Sequence, residues 1–504
     1  MKILLVNPEV PNTFWSLKSA LKFVSKKALL PPLGLLTVAS MLPETFEKKV
    51  IDMNVTPLRD RDIKWADYVF ITGMVIQKKS VDEVIERCKK LNARIVAGGP
   101  LFTVFPGGYL NIDHLVLKEA ESTLPVFLSD LEKGRLEPFY TAREKPDLKN
   151  TPVPQWDLIN LKKYAVMPVQ YSRGCPFNCD FCNITSLLGH KVRTKTTSQI
   201  INELESLYAH KWRGDVFFVD DNFIGRRQEL KNELLPAITK WMNERNRPFA
   251  FNTQASIDLV DDEELMTMMV GAGFESVFIG IESPNESSLT ECNKIQNTGR
   301  DVVAAVKKIQ SFGLQVQAGF ILGFDNDKPG VFDKLISLIQ DSGVVTAMVG
   351  LLNAPPGTKL YKKLLTENRL TTPPTGDNMD CTMNFVPRMD VHELMDGYHK
   401  VLNTIYSPKN YYKRIKTFLK NYHFSDKRKL KFRFSDIKAF FRSLWQIGVI
   451  EKGKIYYWML LLWASRNPHR LQLAVRLSIY GVHFRKMLKN VYPQVKEIAA
   501  GESN

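Results

Sequence analysis

The sequence predicts an α/β protein in three parts: a doubly wound parallel sheet, a second βα series, and a mostly helical C-terminal extension. Two patterns carry the first two parts. Short apolar runs alternate with helical stretches through the first 130 residues, and again from residue 169 to about 365, which is the signature of parallel sheets covered by helices. The third follows from charge and composition. Residues 408–504 hold 21 of the 69 basic and 5 of the 53 acidic residues, a surplus equal to the whole chain's formal +16. The apolar content of 44% is that of a folded globular chain. Six cysteines in 504 residues, without a signal peptide, point to the reducing cytoplasm.

The N-terminal elements come first. Lys2-Ile-Leu-Leu-Val-Asn-Pro8 reads as a buried strand, with further apolar runs at 50–53, 68–72, 94–97 and 114–117 and a helical pattern at 81–91. In such sheets ligands bind beyond the carboxyl ends of the strands. The strand-end loops at 8–15, 73–77, 98–100 and 118–121 supply Trp15, Gly73, Gln77, Gly98, Gly99 and Glu119 as candidate ligand contacts. Gly98 and Gly99 either let backbone approach a large flat ligand or simply make the turn. Residues 141–165, rich in proline and polar side chains at 145–156, read as a linker after a first domain of 1–140.

The second series spans 166–365. Its strands are expected at 169–172, 216–219, 250–253, 276–280, 315–322 and 345–352, with helices at 198–210, 229–245, 261–271, 300–312 and 330–341. After its first strand stands Ser-Arg-Gly-Cys175-Pro-Phe-Asn-Cys179-Asp-Phe-Cys182, a CxxxCxxC. Three thiolates on one loop can hold three irons of a four-iron cluster and leave the fourth open to a substrate. A zinc knuckle wants a fourth ligand, and His190, the nearby histidine, is poorly spaced for it.

That motif resembles the cluster loop of radical S-adenosylmethionine (SAM) enzymes, and the six βα units resemble their partial (β/α)6 TIM barrel. The resemblance implies a [4Fe-4S] cluster on Cys175, Cys179 and Cys182 whose open iron chelates SAM, yielding a 5′-deoxyadenosyl radical on reduction. It also implies SAM contacts residue by residue. Phe181 matches the aromatic near adenine, and Asp220, Asp221 and Asn222 end the second strand, where the amino group binds. Gln254 and Ser256 follow the third strand. Glu282 would accept ribose hydroxyls, while Gly319 and Gly323 stand in a Gly-x-Ile-x-Gly segment along adenine. Ala354 would offer a backbone edge, and Arg193 and Lys195 would pair with the SAM carboxylate. The strand-end motifs of residues 1–140, with Pro31-Pro-Leu-Gly-Leu35, look like the Rossmann-like cobalamin-binding domain that precedes many radical SAM barrels. The Asp-x-His-x-x-Gly cobalt-ligand motif is missing, since Asp113 and His114 are adjacent, so cobalamin is expected without a histidine on cobalt.

The tail, 366–504, is basic and aromatic. Ile437, Phe440, Phe441, Leu444 and Trp445 fall on one helix face, and 455–464 is a run of ten apolar residues flanked by Lys452, Lys454 and Arg466. That run is short of the roughly 20 needed to span a bilayer. It suits an interfacial helix on an anionic membrane, a helical cap on the barrel or, ranked lower, an RNA-binding face. The order of parts resembles the cobalamin-binding-domain radical SAM proteins that include hopanoid methylases. It implies a cobalamin-dependent C-methyltransferase acting on an unactivated carbon of a hydrophobic or lipid-like substrate. Carbon–carbon bond formation, ring rearrangement or oxidation is the alternative within the class, and a non-catalytic Fe–S or RNA-binding protein the alternative outside it. A flavodoxin or ferredoxin electron donor, and a cytoplasmic location peripheral to the inner face of the membrane, complete the expectation.

Overall fold

The computed structural model describes residues 1–377, 380–424 and 434–501, excepting the side chains of 434–435 and 490–501. It contains two compact units. The first comprises Met1–Pro11, Lys27–Cys175 and Asn183–Val219; the second comprises Asn12–Lys26, Pro176–Cys182 and the chain from Asp220 onward.

In the first unit, β1 (Lys2–Asn7), β2 (Glu47–Asp52), β3 (Tyr68–Thr72), β4 (Ile95–Gly98), β5 (His114–Val116) and β6 (Phe139–Tyr140) form a parallel sheet in the order β2-β1-β3-β4-β5-β6. β1 shows why the sheet is covered twice. Leu4 and Val6 join a core with Val81, Val84, Ile85 and Cys88 of the helix Lys78–Lys90. Ile3 and Leu5 point the other way, toward Leu35 and Ala39 of the helix Leu33–Met41 and Leu124 and Phe127 of the helix Ala120–Glu132. A strand with apolar side chains on both faces must be sandwiched between helical layers. The strand order reverses between β1 and β3, the switch point where such sheets open a crevice at their carboxyl ends.

The segment read as a linker is not a free tether. Leu148 and Trp156 are buried, and the Gln199 amide donates to the Leu148 and Thr151 carbonyls. Proline and charge in the sequence concealed two anchor residues. The unit continues through β7 (Val166–Val169), the two-residue antiparallel strands β8 (Ser172–Arg173) and β9 (Arg193–Thr194), and β10 (Asp215–Phe218), which pairs in parallel with β7.

The second unit carries β11 (Ala250–Gln254), β12 (Phe274–Glu282), β13 (Gln315–Leu322) and β14 (Ala347–Leu351), each parallel to the next. Helices at Leu235–Glu244, Glu263–Ala272, Val302–Ser311 and Val331–Ser342 alternate with them. On β12, Val277, Ile279 and Ile281 are fully buried in one direction, while Ser276, Phe278 and Gly280 alternate to the opposite face. That face is polar low down, where the Ser276 hydroxyl donates to Asn252 Oδ1 and accepts from Gln317 Nε2.

Among the described residues, five longer helices follow, beginning with Val391–Tyr406 and Pro408–Asn421. They bind the barrel strands by side-chain caps. The Tyr398 and Tyr406 hydroxyls donate to the Val349 and Ala347 carbonyls of β14 at 3.1 and 2.6 Å. The helix Pro468–Gly501 holds the segment Asn12–Lys26: Phe484 stacks on Phe14 with centroids 4.3 Å apart, and His483 Nε2 lies 3.1 Å from the Thr13 and Phe14 carbonyls.

Candidate active site

The cysteine loop is shaped by its backbone. Gly174 has φ +94°, and a Cβ there would sit 2.8 Å from the Lys191 carbonyl, so glycine is required before Cys175. Farther along, Asp180 N donates to the Cys292 carbonyl and Leu360 N to the Asp180 carbonyl, both at 2.9 Å. Asn293 Nδ2 donates to the Asn178 carbonyl, and Gln296 Nε2 reaches Cys179 Sγ at 3.6 Å. Phe181 lies edge-on to Phe324, centroids 6.3 Å apart. None of the six cysteines forms a disulfide. Cys88, Cys292 and Cys381 are buried, and burial pushes each thiol up to about 12; Cys175 and Cys182 remain partly exposed. Among the described residues, no three His, Cys, Asp or Glu side chains converge into a metal-holding group.

Glu282 ends β12 in an unusual conformation. Its φ is +68°, the register slips between Gly280 and Glu282, and Asn297 Nδ2 clamps the slip by donating to the Gly280 and Ile281 carbonyls at 2.9 Å. Glu282 Oε1 accepts from Lys294 Nζ at 2.8 Å. Both side chains are nearly enclosed. Burial opposes the Lys294 charge, yet the Glu282 carboxylate, and then the Cys179 sulfur, hold the ammonium above its ordinary range. A Cβ on Gly280 would lie 2.3 Å from Glu282 Oε1, so that glycine makes room for the pair. Lys294, Gln296 and Asn297 were missed in the sequence because they stand at the start of and within a single helical turn, Ile295–Asn297, away from any strand end.

Asp220 is fully buried after β10, and Asn222 and Ser256 bond each other, amide to hydroxyl at 3.2 Å and backbone N to Oδ1 at 3.3 Å. Gln254 closes β11. Gly319 faces Phe278, whose ring tip would be 3.0 Å from a Cβ there, and Gly323, at φ +99°, donates its N–H to Asp327.

Several of the expected contact residues bond one another or other groups of the protein. The Arg193 guanidinium forks onto Glu119 at 2.9 and 3.0 Å and also donates to two carbonyls. Glu119 also pairs with Arg173. The same Arg173 grips Glu121 at 2.7 and 3.0 Å. Burial alone would raise the Glu121 carboxyl, but Arg173 holds it below its ordinary range. Lys195 is paired with Glu203 in the interior. The Ala354 N–H and C=O both bond the Asn384 amide at 2.8 Å. In each case a charged or polar group removed from water found a partner within the protein.

Trp15 belongs to the second unit, where its indole N–H points at Met348 Sδ, 3.0 Å away, and its ring stands edge-on to Phe278. In the first unit, Gln77 is buried, and its amide donates to the Asn7 side chain and the Pro8 carbonyl, lacing the loops after β1 and β3. Gly73, Gly98 and Gly99 serve close internal approach: a Cβ would meet Val81, the Val116 carbonyl and Thr72 at 2.7, 2.6 and 2.8 Å. His114 Nδ1 bonds the Glu137 carbonyl at 2.8 Å.

Three family models match in chain order: a B12 binding domain over residues 24–128, the radical SAM superfamily over 169–339, and a domain of unknown function (DUF4070) over 358–497. An uncharacterized methyltransferase of Synechocystis sp. is 39% identical, the match covering 99% of this chain and 94% of that protein. The chain belongs to the cobalamin-dependent radical SAM methyltransferases. Within this family, the hopanoid C-2 methylase of Rhodopseudomonas palustris is 29% identical over 92% of this chain and 89% of its own. The fold matches the cobalamin-dependent SAM radical enzyme OxsB with aqua-cobalamin bound, at TM-score 0.61 and 17% identity over 98% of this chain and 80% of that one. It also matches the radical SAM methyltransferase TsrM from Kitasatospora setae, at TM-score 0.58 and 18% identity over 74% and 79% of the two chains. The family's cofactors are a [4Fe-4S] cluster, SAM and cobalamin.

Proposed function

We propose that this methyltransferase acts on an unactivated carbon of a hydrophobic, lipid-like substrate. The observation that carries the reading is an apolar wall in the second unit. Trp15, Phe278 and Met348 meet at the Cβ-free surface of Gly319, on the strand face opposite the helical core. An aromatic and thioether wall suits an apolar substrate and offers a charged one nothing to bond. The hopanoid C-2 methylase among the relatives supports the same reading.

Cys175, Cys179 and Cys182 would ligate the cluster; the partial exposure of Cys175 and Cys182, against three buried thiols elsewhere, supports that choice. When bound, the cluster supplies the electron that cleaves SAM, and cobalamin supplies the methyl group. Asp220, Asp221 and Asn222 would take the SAM amino group, and Lys294 would orient the Glu282 carboxylate toward the ribose. Cobalamin would sit at the β1/β3 switch point, within residues 1–140, with the barrel in 166–365. A small electron-transfer protein would reduce the cluster, and the helical region from 366 would contact the inner face of the membrane peripherally.

The test is twofold. Reconstituted protein with dithionite should produce 5′-deoxyadenosine, and Cys175→Ala, Cys179→Ala or Cys182→Ala should abolish it, while Cys292→Ala and Cys381→Ala keep wild-type iron. A strain lacking the chain should then lose a methylated lipid present in its parent. Unchanged lipids beside a changed water-soluble metabolite would refute the substrate class.

A further inference from the structure

Among the described residues, nine of the 18 exposed large hydrophobics fall between 437 and 462. Seven of them lie on two neighbouring helices, Phe434–Trp445 and Lys454–Ala464, and Val449 and Ile450 lie on the helical turn Gln446–Ile450 between them. Ile437, Phe441 and Trp445, at spacings of four, are 45%, 63% and 65% exposed; Ile455, Met459 and Leu462, at four and three, are 63%, 61% and 71% exposed. Each set forms one helical stripe. The opposite faces hold the helices together: Ala439 and Ser443 on one, Tyr457, Leu460, Leu461 and Ala464 on the other are buried, and Ser443 Oγ and Tyr457 Oη are 2.8 Å apart. Trp458 joins the stripes, its ring over Gly448 and its N–H on the Gly448 carbonyl at 3.0 Å. The one helix face that the sequence pattern gives to Ile437, Phe441 and Trp445 is therefore the outward side.

A pocket of about 480 Å3 opens beside this surface, walled by Phe23, Phe441 and Trp445 with Lys22 and Arg442 among its lining residues. Lys438, Lys452, Lys454 and Arg466 are exposed around the stripes. Glu451, one of two acids in 434–466, is bonded to Arg485 at 3.3 Å.

We propose that this face docks on an anionic lipid bilayer, with the aromatic and aliphatic stripes at the headgroup–acyl boundary and the basic rim against lipid phosphates. The inference deepens the membrane-side reading above and rests on it. Two features select the occupant. A contiguous apolar patch of this extent on a soluble surface marks a docking site, and Trp with Lys and Arg flanking an apolar face is the composition of interfacial helices. A second copy of the chain would bring two basic rims together, which like charges oppose. No described helix is long and apolar enough to cross a membrane, so the contact is peripheral.

The full reconstituted protein is mixed with phosphatidylcholine vesicles with and without phosphatidylglycerol, at low and high salt, and sedimented. Binding should require phosphatidylglycerol and weaken in high salt. Phe441→Ser, Trp445→Ser and Leu462→Ser together should lower the partition coefficient at least tenfold. Lys438, Lys452, Lys454 and Arg466 changed together to Gln should lower it by up to about fivefold per charge at low salt. Both variants should cleave SAM as the wild type does. The proposal is overturned if wild-type protein ignores the anionic vesicles, or if the Ser variant still binds them. It is equally overturned if the wild type is a dimer that the Ser variant dissolves without any vesicle binding. Vesicle binding with an unchanged lipid profile would instead remove the lipid-substrate reading alone.

Discussion

The Glu282–Lys294 pair offers a sharp energetic test. The perturbation is Lys294→Met, which removes the ammonium and keeps the stem. At 2.8 Å, and an effective dielectric of about 20, the attraction is about 6 kcal/mol. Desolvation of both groups cancels much of that, so the intact pair adds little net stability. Breaking it is another matter. The side chains are only 8% and 13% exposed, so the orphaned Glu282 carboxylate should cost about 3–5 kcal/mol. Glu282→Gln in the same background removes the stranded charge and should restore at least about 2 kcal/mol of it. Because the chain has two units, the readout should be local: urea-dependent hydrogen exchange of the β12 segment 274–282, measured for wild type, both single variants and the double. Gly280→Ala should reproduce part of the Lys294→Met loss, since its Cβ would displace Glu282 Oε1 from 2.3 Å. If the double variant is no more protected than Lys294→Met, the coupling is absent and the pair does not organise the strand end.

Two further outcomes are expected. His114→Ala should leave the EPR spectrum of bound cob(II)alamin unchanged, because the ring is tied to the Glu137 carbonyl; loss of a nitrogen splitting would make it the cobalt ligand. The Glu121 carboxyl is depressed by Arg173, so its contribution is present above the unfolded value of about 4.3 and is lost as pH falls through the lower folded value. The urea midpoint should therefore fall between about pH 5 and 3.5, and Glu121→Gln should show a smaller fall; equal slopes would count against the pair.

Much was legible in the sequence because it was local. The period-two and period-3.6 patterns gave both βα series, with β13 at 315–322 as expected, because burial of one face writes itself into neighbouring residues. The CxxxCxxC spacing and Gly174 likewise need only a few consecutive residues. What the sequence could not decide was pairing at long range. Arg193 and Lys195 read as two cations available to a ligand, yet one folds onto Glu119, 74 residues away, and the other onto buried Glu203. Trp15 follows the first strand in the chain but packs with Phe278 and Met348, more than 260 and 330 residues on, because His483 and Phe484 of the last helix hold its segment there. The outward turn of the 437–445 stripe is a decision of the same kind. Periodicity establishes that apolar residues share a face, but only the neighbouring helix, which buries Ser443 against Tyr457, determines which face is left to the solvent.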